Sequence, residues 1–162
     1  MPYVIFDLDG TVINSDHRKA SLPDGSLDLA HWIENNTPEK IALDTLLPLA
    51  RIMRILYDAG NTIVICTARS IQTPEIQEAF DDFFAGNNLP FHDFLNREPD
   101  NMESDASLKV RLLTNYFKAK GYNSPAHANA MFFDDNLKVL DAVGKIGITC
   151  YDATICNRRL AA

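Results

Sequence analysis

The sequence predicts an α/β fold, a three-layer, doubly wound Rossmann-like sandwich with a mainly parallel five-stranded sheet. Three observations lead there. Near-continuous apolar runs recur five times along the 162 residues, as expected of strands covered on both faces rather than on one. Segments of helical period separate them, and a β-α-β-α order favours a parallel sheet. Acidic and hydroxyl residues stand at the ends of these runs, where doubly wound sheets place their sites.

The first run, Pro2 to Phe6, leads into Asp7-Leu8-Asp9-Gly10-Thr11. Alternation along a strand sends neighbouring carboxylates to opposite faces, but at a strand end the chain turns, and Gly10 permits that turn. Asp7 and Asp9 can then converge, at an energetic cost that a cation or a shared proton relieves. Residues 13–42 fit the alternating pattern least. They contain Asp16-His17-Arg18-Lys19, Leu22-Pro23-Asp24-Gly25 and a short helical stretch around Leu27 to Ile33. This loop and short-helix insertion after strand 1 is too small for an independent domain and is expected to form a minimal cap, a small lid over the site.

After Pro48, a first-turn residue, Leu49, Ile52, Met53 and Leu56 recur at helical spacing and Gly60 is a stop. Thr62 to Thr67 is the second strand. Thr73-Pro74-Glu75 opens the next helix with a cap and a proline, and Ile76, Phe80, Phe83 and Phe84 form its apolar face. Those phenylalanines read as core rather than as a nucleobase platform, and Asp81-Asp82 as that helix's solvated face. A weaker strand covers Phe91 to Leu95. Leu108, Leu112, Leu113 and Phe117 mark a third helix, with Ser104, Asp105 or Ser107 as its cap. Ala128 to Phe133 runs into Asp134-Asp135, Val139, Leu140 and Val143 suggest a short fourth helix, and Ile146 to Tyr151 closes the series. Cys156-Asn157-Arg158-Arg159 reads as a modest basic tail without a role.

Length fits one domain spanning 1–162, large enough to bury its own core. The 46% apolar and 23% charged content is that of a water-soluble globular protein. Three cysteines, Cys66, Cys150 and Cys156, form no metal-binding spacing; two lie in apolar runs, and reduced thiols point to the cytoplasm. No run approaches the roughly 20 apolar residues of a membrane span, and no basic region precedes the first apolar run as in a signal peptide. A net charge of −7 argues against a broad nucleic-acid-coating surface. It leaves room for a small site that takes one nucleic-acid end with the help of a divalent cation.

Asp7 and Asp9, Thr67, Lys109, and Asp134 with Asp135 follow one another at strand ends and a helix start, and a parallel sheet gathers them at one edge. Together they suit phosphoryl transfer. One carboxylate can attack phosphorus and split a difficult hydrolysis into two easier steps. A second gives a proton to the leaving oxygen, then takes one from water. Carboxylates hold Mg²⁺, which screens the approach of an anionic nucleophile to an anionic ester. A hydroxyl and an ammonium complement the equatorial phosphoryl oxygens.

This ordered set resembles the haloacid dehalogenase (HAD) superfamily of phosphohydrolases over nearly the whole chain. The motif DxDGT matches residues 7–11, and Thr67, Lys109 and Asp134-Asp135 match the Ser/Thr, lysine and paired-acid motifs. The resemblance implies that Asp7 is the nucleophile and Asp9 the general acid/base. Asp7, the Asp9 carbonyl and Asp134 would bind Mg²⁺ with support from Asp135, and Thr11 would face the substrate. Within the superfamily the chain is most similar to the 3′-phosphatase domains of bacteriophage polynucleotide kinase-phosphatases. These place an arginine eleven residues after the nucleophile, here Arg18, and another two after the Ser/Thr motif, here Arg69. An aspartate precedes their lysine by four residues, here Asp105, which would orient Lys109, and an Arg-Glu pair is echoed by Arg97-Glu98. Two guanidinium groups beside a phosphate can each grip two oxygens.

Departures from that family are Asn136, where an arginine follows the paired acids, a longer 13–42 segment, and the lack of a P-loop signature for a kinase half. The resemblance implies removal of a 3′-phosphate from a DNA or RNA end. A nucleoside monophosphate or another small phosphomonoester is the alternative substrate, and a non-catalytic phosphate- or partner-binding module is the alternative of another class. Trp32 reads as an anchor of the insertion rather than a base-stacking group, and His17 as a solvated loop residue.

Overall fold

The computed structural model describes residues 1–162. Its main sheet has the order β5-β4-β1-β6-β7, and every pairing in it is parallel. The strands are β1 (Tyr3–Phe6), β4 (Thr62–Ser70), β5 (Asp93–Arg97), β6 (Ala130–Asp134) and β7 (Thr149–Asp152). The chain runs outward from β1 through β4 to β5, then crosses to the other side of β1 for β6 and β7. The crevice at that reversal is where such sheets bind ligands.

Alternation along β1 assigns the two faces. Val4 and Phe6 point into one apolar cluster with Ile63 and Ile65, and Ile5 points into the other with Val64, Cys66 and Phe132. The first face is covered by α3 (Leu49–Asp58), α4 (Pro74–Gly86) and α7 (Ala153–Ala161), through Leu49, Met53, Phe80, Phe83, Phe84 and Ala153. The second is covered by α5 (Asp105–Ala119) and α6 (Leu137–Lys145), through Leu113, Phe117, Val139 and Val143. Thr73, Ser104 and Asn136 cap α4, α5 and α6 with side-chain oxygens. The doubly wound α/β architecture is therefore the observed one, and the phenylalanines of α4 are core.

Three details differ from the sequence expectation. The third strand in chain order within this sheet starts at Asp93, because the Phe91-His92 step is spent differently: His92 exchanges bonds with Ile63 through its amide and its Nδ1. The last strand starts at Thr149, after a turn at Gly147 with φ +89°. The expected basic tail is helix α7, whose first amides are capped by Asp152. The 13–42 segment leaves and returns through a two-stranded antiparallel ribbon, β2 (Ile13–Asn14) with β3 (Thr45–Leu46), and carries α1 (Leu29–Glu34) and α2 (Pro38–Ile41). No helix is long and apolar enough to cross a membrane.

Candidate active site

Sheet register alone brings the first acids together. Phe6 and Phe133 are the last paired rungs of β1 and β6, so Asp7 and Asp134 emerge as neighbours, and the Asp7 amide donates to the Phe133 carbonyl at 2.9 Å. On the other flank of β1, β4 carries Thr67 and Arg69 past the end of the rungs. Lys109 lies in the second turn of α5, buried, and its Nζ donates to Asp7 Oδ1 at 2.6 Å and to Asp134 Oδ2 at 2.7 Å. Asp7, Asp134 and Asp135 each present a carboxylate oxygen, all within 4.8 Å of one another. Gly10 is needed twice here. Its φ of +77° makes the turn, and a Cβ would strike the Asp135 carboxylate.

Burial pushes the Asp7 carboxyl up to about 8 against the pull of Lys109, and the charges of Asp134 and Asp9 add to the rise. Burial and Asp134 likewise raise Asp135. For Lys109, burial disfavours the charge but Asp7 and Asp134 outweigh it, so the ammonium is held above its ordinary range. Lys109 is thus bonded to two of the three carboxylates, and Asp135 has only the more distant charges of Lys19 and Lys109 to offset its own. This all-oxygen, charge-deficient cluster fits a hard divalent cation of the Mg²⁺ type.

Asp9 points elsewhere. Arg69 grips it through Nε to Oδ2 at 2.5 Å and through Nη2 to Oδ1, and the Ser15 hydroxyl donates to Oδ1 at 2.6 Å. Burial works to raise this carboxyl, but the charge and hydrogen bonds of Arg69, with Ser15, hold it down at about 2. Arg69 Nη1 and the Ser70 hydroxyl are buried without a partner, and both residues line the cavity. An unpaired guanidinium donor in a cavity wall suits an anionic oxygen.

The cavity measures about 760 Å³. Asp7, Thr67, Arg69, Lys109, Asp134 and Asp135 lie in it, Leu27, Leu29, Trp32 and Ile33 of the insertion form one wall, and the loop after β5 forms another. Arg97 ties that loop down. It donates to the carbonyls of Ala68 and Glu103 at 2.9 and 2.7 Å, to Asn101 Oδ1 at 3.0 Å, and to Asp105 at 2.7 Å. Arg111 then holds Glu98 by two 2.8 Å bonds.

The structure thus brings together Asp7, Asp9, Thr67, Arg69, Lys109, Asp134 and Asp135. It does not place three other expected residues as anticipated. Arg18 is fully buried and absent from the cavity wall; its Nε and Nη2 clasp Asp44 at 2.9 and 2.7 Å. Thr11 is also fully buried behind the wall, and its hydroxyl donates to Asp7 at 3.4 Å. Asp105 lines the cavity but is bound by Arg97, while Asp7 and Asp134 hold Lys109. His17 is not a free loop side chain, since its Nε2 lies 2.8 Å from Asp44. Trp32 stacks on the two arginines, with Arg18 and Arg69 at 4.7 and 5.3 Å from its ring centre.

Asp44 and Asn157 escaped the sequence reading, as did Ser15, a lone serine without a motif to mark it. Asp44 is a lone acid before a two-residue strand, without a pattern to mark it. Asn157, within the supposed tail, accepts from the Leu49 amide at 2.8 Å and donates to the Thr11 carbonyl at 2.9 Å, bracing the DxDGT turn from α7.

The 5′-deoxynucleotidase of Escherichia phage T5 is 30% identical over 165 residues, covering 95% of this chain and 68% of the relative. The chain belongs to the phage T5 5′-deoxynucleotidase family. The family description, bacteriophage T5 5′-deoxynucleotidase, matches residues 2–76, which span the DxDGT turn, the insertion and Thr67. Among solved structures, a chain of the Pnkp1/Rnl/Hen1 complex superposes with a TM-score of 0.69 at 19% identity, over 94% of this chain. This chain covers 45% of that one, less than half its length. The D,D-heptose 1.7-bisphosphate phosphatase from B. bronchiseptica, complexed with magnesium and phosphate, gives 0.65 at 15% identity, over 98% of this chain and 86% of that one. This T5-type family member has the fold of the HAD phosphatases, and its family is one of hydrolases, against the non-catalytic reading.

Proposed function

We propose that the protein is a Mg²⁺-dependent phosphomonoesterase that removes the phosphate of a deoxynucleoside 5′-monophosphate through an aspartyl-phosphate on Asp7. The observation that carries this reading is a cavity with two chemistries. Its floor offers cationic and hydroxyl groups to a phosphate, and its insertion wall offers Leu27, Leu29, Trp32 and Ile33 to an apolar body. A volume of about 760 Å³ lies in the range of small-molecule pockets. The family relationship supports the same substrate class.

In this reading an Asp7 oxygen attacks phosphorus, the P–O bond to the sugar breaks, and Asp9 protonates the leaving alkoxide. Water then attacks the phosphorus of the aspartyl-phosphate. Asp9 takes its proton, and the Asp7 carboxylate leaves as phosphate forms. Thr67 and Lys109 hold phosphoryl oxygens. Arg69 offers its free Nη1 to another oxygen, and as its charge is shared with phosphate its hold on Asp9 relaxes, so that Asp9 can carry a proton. Asp7, Asp134 and Asp135, with the Asp9 carbonyl, would hold Mg²⁺, which supplies charge neutralisation between nucleophile and phosphate. The chain acts as one catalytic domain of a cytoplasmic enzyme, with 13–42 as the lid that excludes water.

A 3′-phosphate on a polynucleotide end is the second reading; a chain of an RNA repair complex shares this fold. Its motif support is weakened because Arg18 is spent on Asp44. A panel of deoxynucleoside 5′-monophosphates and 3′-phosphorylated oligonucleotides, with Mg²⁺ and with EDTA, decides between them. We expect the mononucleotides to be preferred by at least a hundredfold in kcat/KM, about 2.7 kcal/mol; preference for oligonucleotides overturns the assignment. Asp7→Asn is expected to lower turnover by about a thousandfold or more while the amide oxygen still offers Mg²⁺ a ligand. Near-wild-type turnover in that variant excludes the covalent route.

A further inference from the structure

Asp44 gathers three basic side chains, His17 and Arg18 of the insertion and Arg69 of the site. Its side chain is 1% exposed. One oxygen receives Arg18 Nε and faces His17 Nε2, the other receives Arg18 Nη2, and Arg69 Nη2 stands 3.5 Å from that second oxygen. The outgoing arm and the return of the insertion thus meet at one carboxylate, and Arg18 reaches on to Asn36 at 3.2 Å. Trp32 lies against both guanidinium groups, and Arg69 also faces Phe80 of α4 at 4.7 Å. Two buried arginines, Arg18 and Arg69, are balanced by two carboxylates, Asp9 and Asp44.

We propose that Asp44 is a positioning residue of the phosphatase site, fixing the Arg69 guanidinium, and through it Asp9, to the closed insertion. Without the Asp44 charge, Arg18 and Arg69 face each other's field with one carboxylate between them, and the bidentate seat of Arg18 is gone. A buried cation cannot stay unpaired, so Arg18 and the insertion must shift toward water. Arg69 is then left to move with Asp9 rather than to hold it. Asp44 touches no reacting atom in this scheme; it sets where the group that handles the proton stands.

The inference rests on the reading of Asp9 as general acid, and the test separates the two. A nucleotide has a poor leaving group that needs a proton as the P–O bond breaks, whereas p-nitrophenolate leaves without one. For Asp44→Asn we expect kcat/KM to fall at least thirtyfold on a deoxynucleoside 5′-monophosphate and less than fivefold on p-nitrophenyl phosphate, with Asp9→Asn as the benchmark for that pattern. Arg18→Lys, which keeps the charge and loses the fork, should show the same pattern at smaller size, and it carries the test if Asp44→Asn does not fold. Equal losses on both substrates, or no loss on either, overturn the inference while leaving the phosphatase reading intact. A wild-type protein inactive on both substrates overturns the reading and the inference with it.

Discussion

Lys109 is a single ammonium between two buried carboxylates, and its removal leaves Asp7 and Asp134 facing one another without compensation. Breaking such a buried pair costs about 3–5 kcal/mol. Lys109→Met should therefore lower the melting temperature sharply in EDTA and recover much of the loss in millimolar Mg²⁺, which replaces the missing charge. Thermal denaturation in the two buffers checks this; a deficit indifferent to Mg²⁺ means the cluster holds no cation. Lys109 itself was legible from motif order, but its partners were not. Spacing pointed to Asp105, four residues back, while the bonds run to strands 25 and 102 residues away. Arg18 shows the same gap. Its distance from Asp7 in sequence suggested a phosphate ligand, and only folding reveals that Asp44 claims it.

Helix α7 illustrates what an element contributes beyond its apolar area. It buries Ala153 and Asn157, and Asn157 satisfies one buried amide and one buried carbonyl on two distant segments. Asn157→Ala strands both, at about 1–3 kcal/mol of stability each. We expect it to lower the unfolding midpoint in urea with the slope unchanged, and also to reduce turnover, because the braced carbonyl belongs to the DxDGT turn. Unchanged turnover in a correctly folded variant shows that the brace is only structural. Sequence could not announce this helix. Strands buried on both faces betray themselves as apolar runs, and α3 to α6 by apolar residues at helical spacing. A nine-residue helix whose key contact is an asparagine carries neither mark. Of the insertion, only the short helix around Leu27 to Ile33 was legible, observed as α1, while β2, β3 and α2 were visible only as an irregularity.

For the whole molecule, ligand and proton linkage act through the acid cluster. On the proposed function, Mg²⁺ at a hundred times its Kd is expected to stabilise the fold by about 2.7 kcal/mol, a rise of about 5–10 °C for a domain of this size. In metal-free protein, Asp7 at about 8 lies far above its unfolded value near 4. Its contribution is present below pH 4 and is lost as pH rises through 8. Asp9, held at about 2, contributes above pH 4 and loses that as pH falls through 2. Between pH 5 and 8.5 the Asp7 contribution falls, and the raised carboxyl of Asp135 acts in the same direction, so the melting temperature in EDTA should decline across that range and the gap to the Mg²⁺-loaded protein should widen. Calorimetry at both ends of the range checks the sign; a gap that narrows with rising pH contradicts it.

Asp7 and Asp9 follow β1, Thr67 and Arg69 ride on β4, and Asp134 and Asp135 stand at the end of β6, the three innermost strands of five. Local breathing starts where hydrogen-bonding partners are missing, and here that is β5 and β7. The margins of the sheet can loosen, or drift in sequence, while the spacing among the reacting groups stays fixed. Tolerance for change is thereby confined to the periphery of the fold.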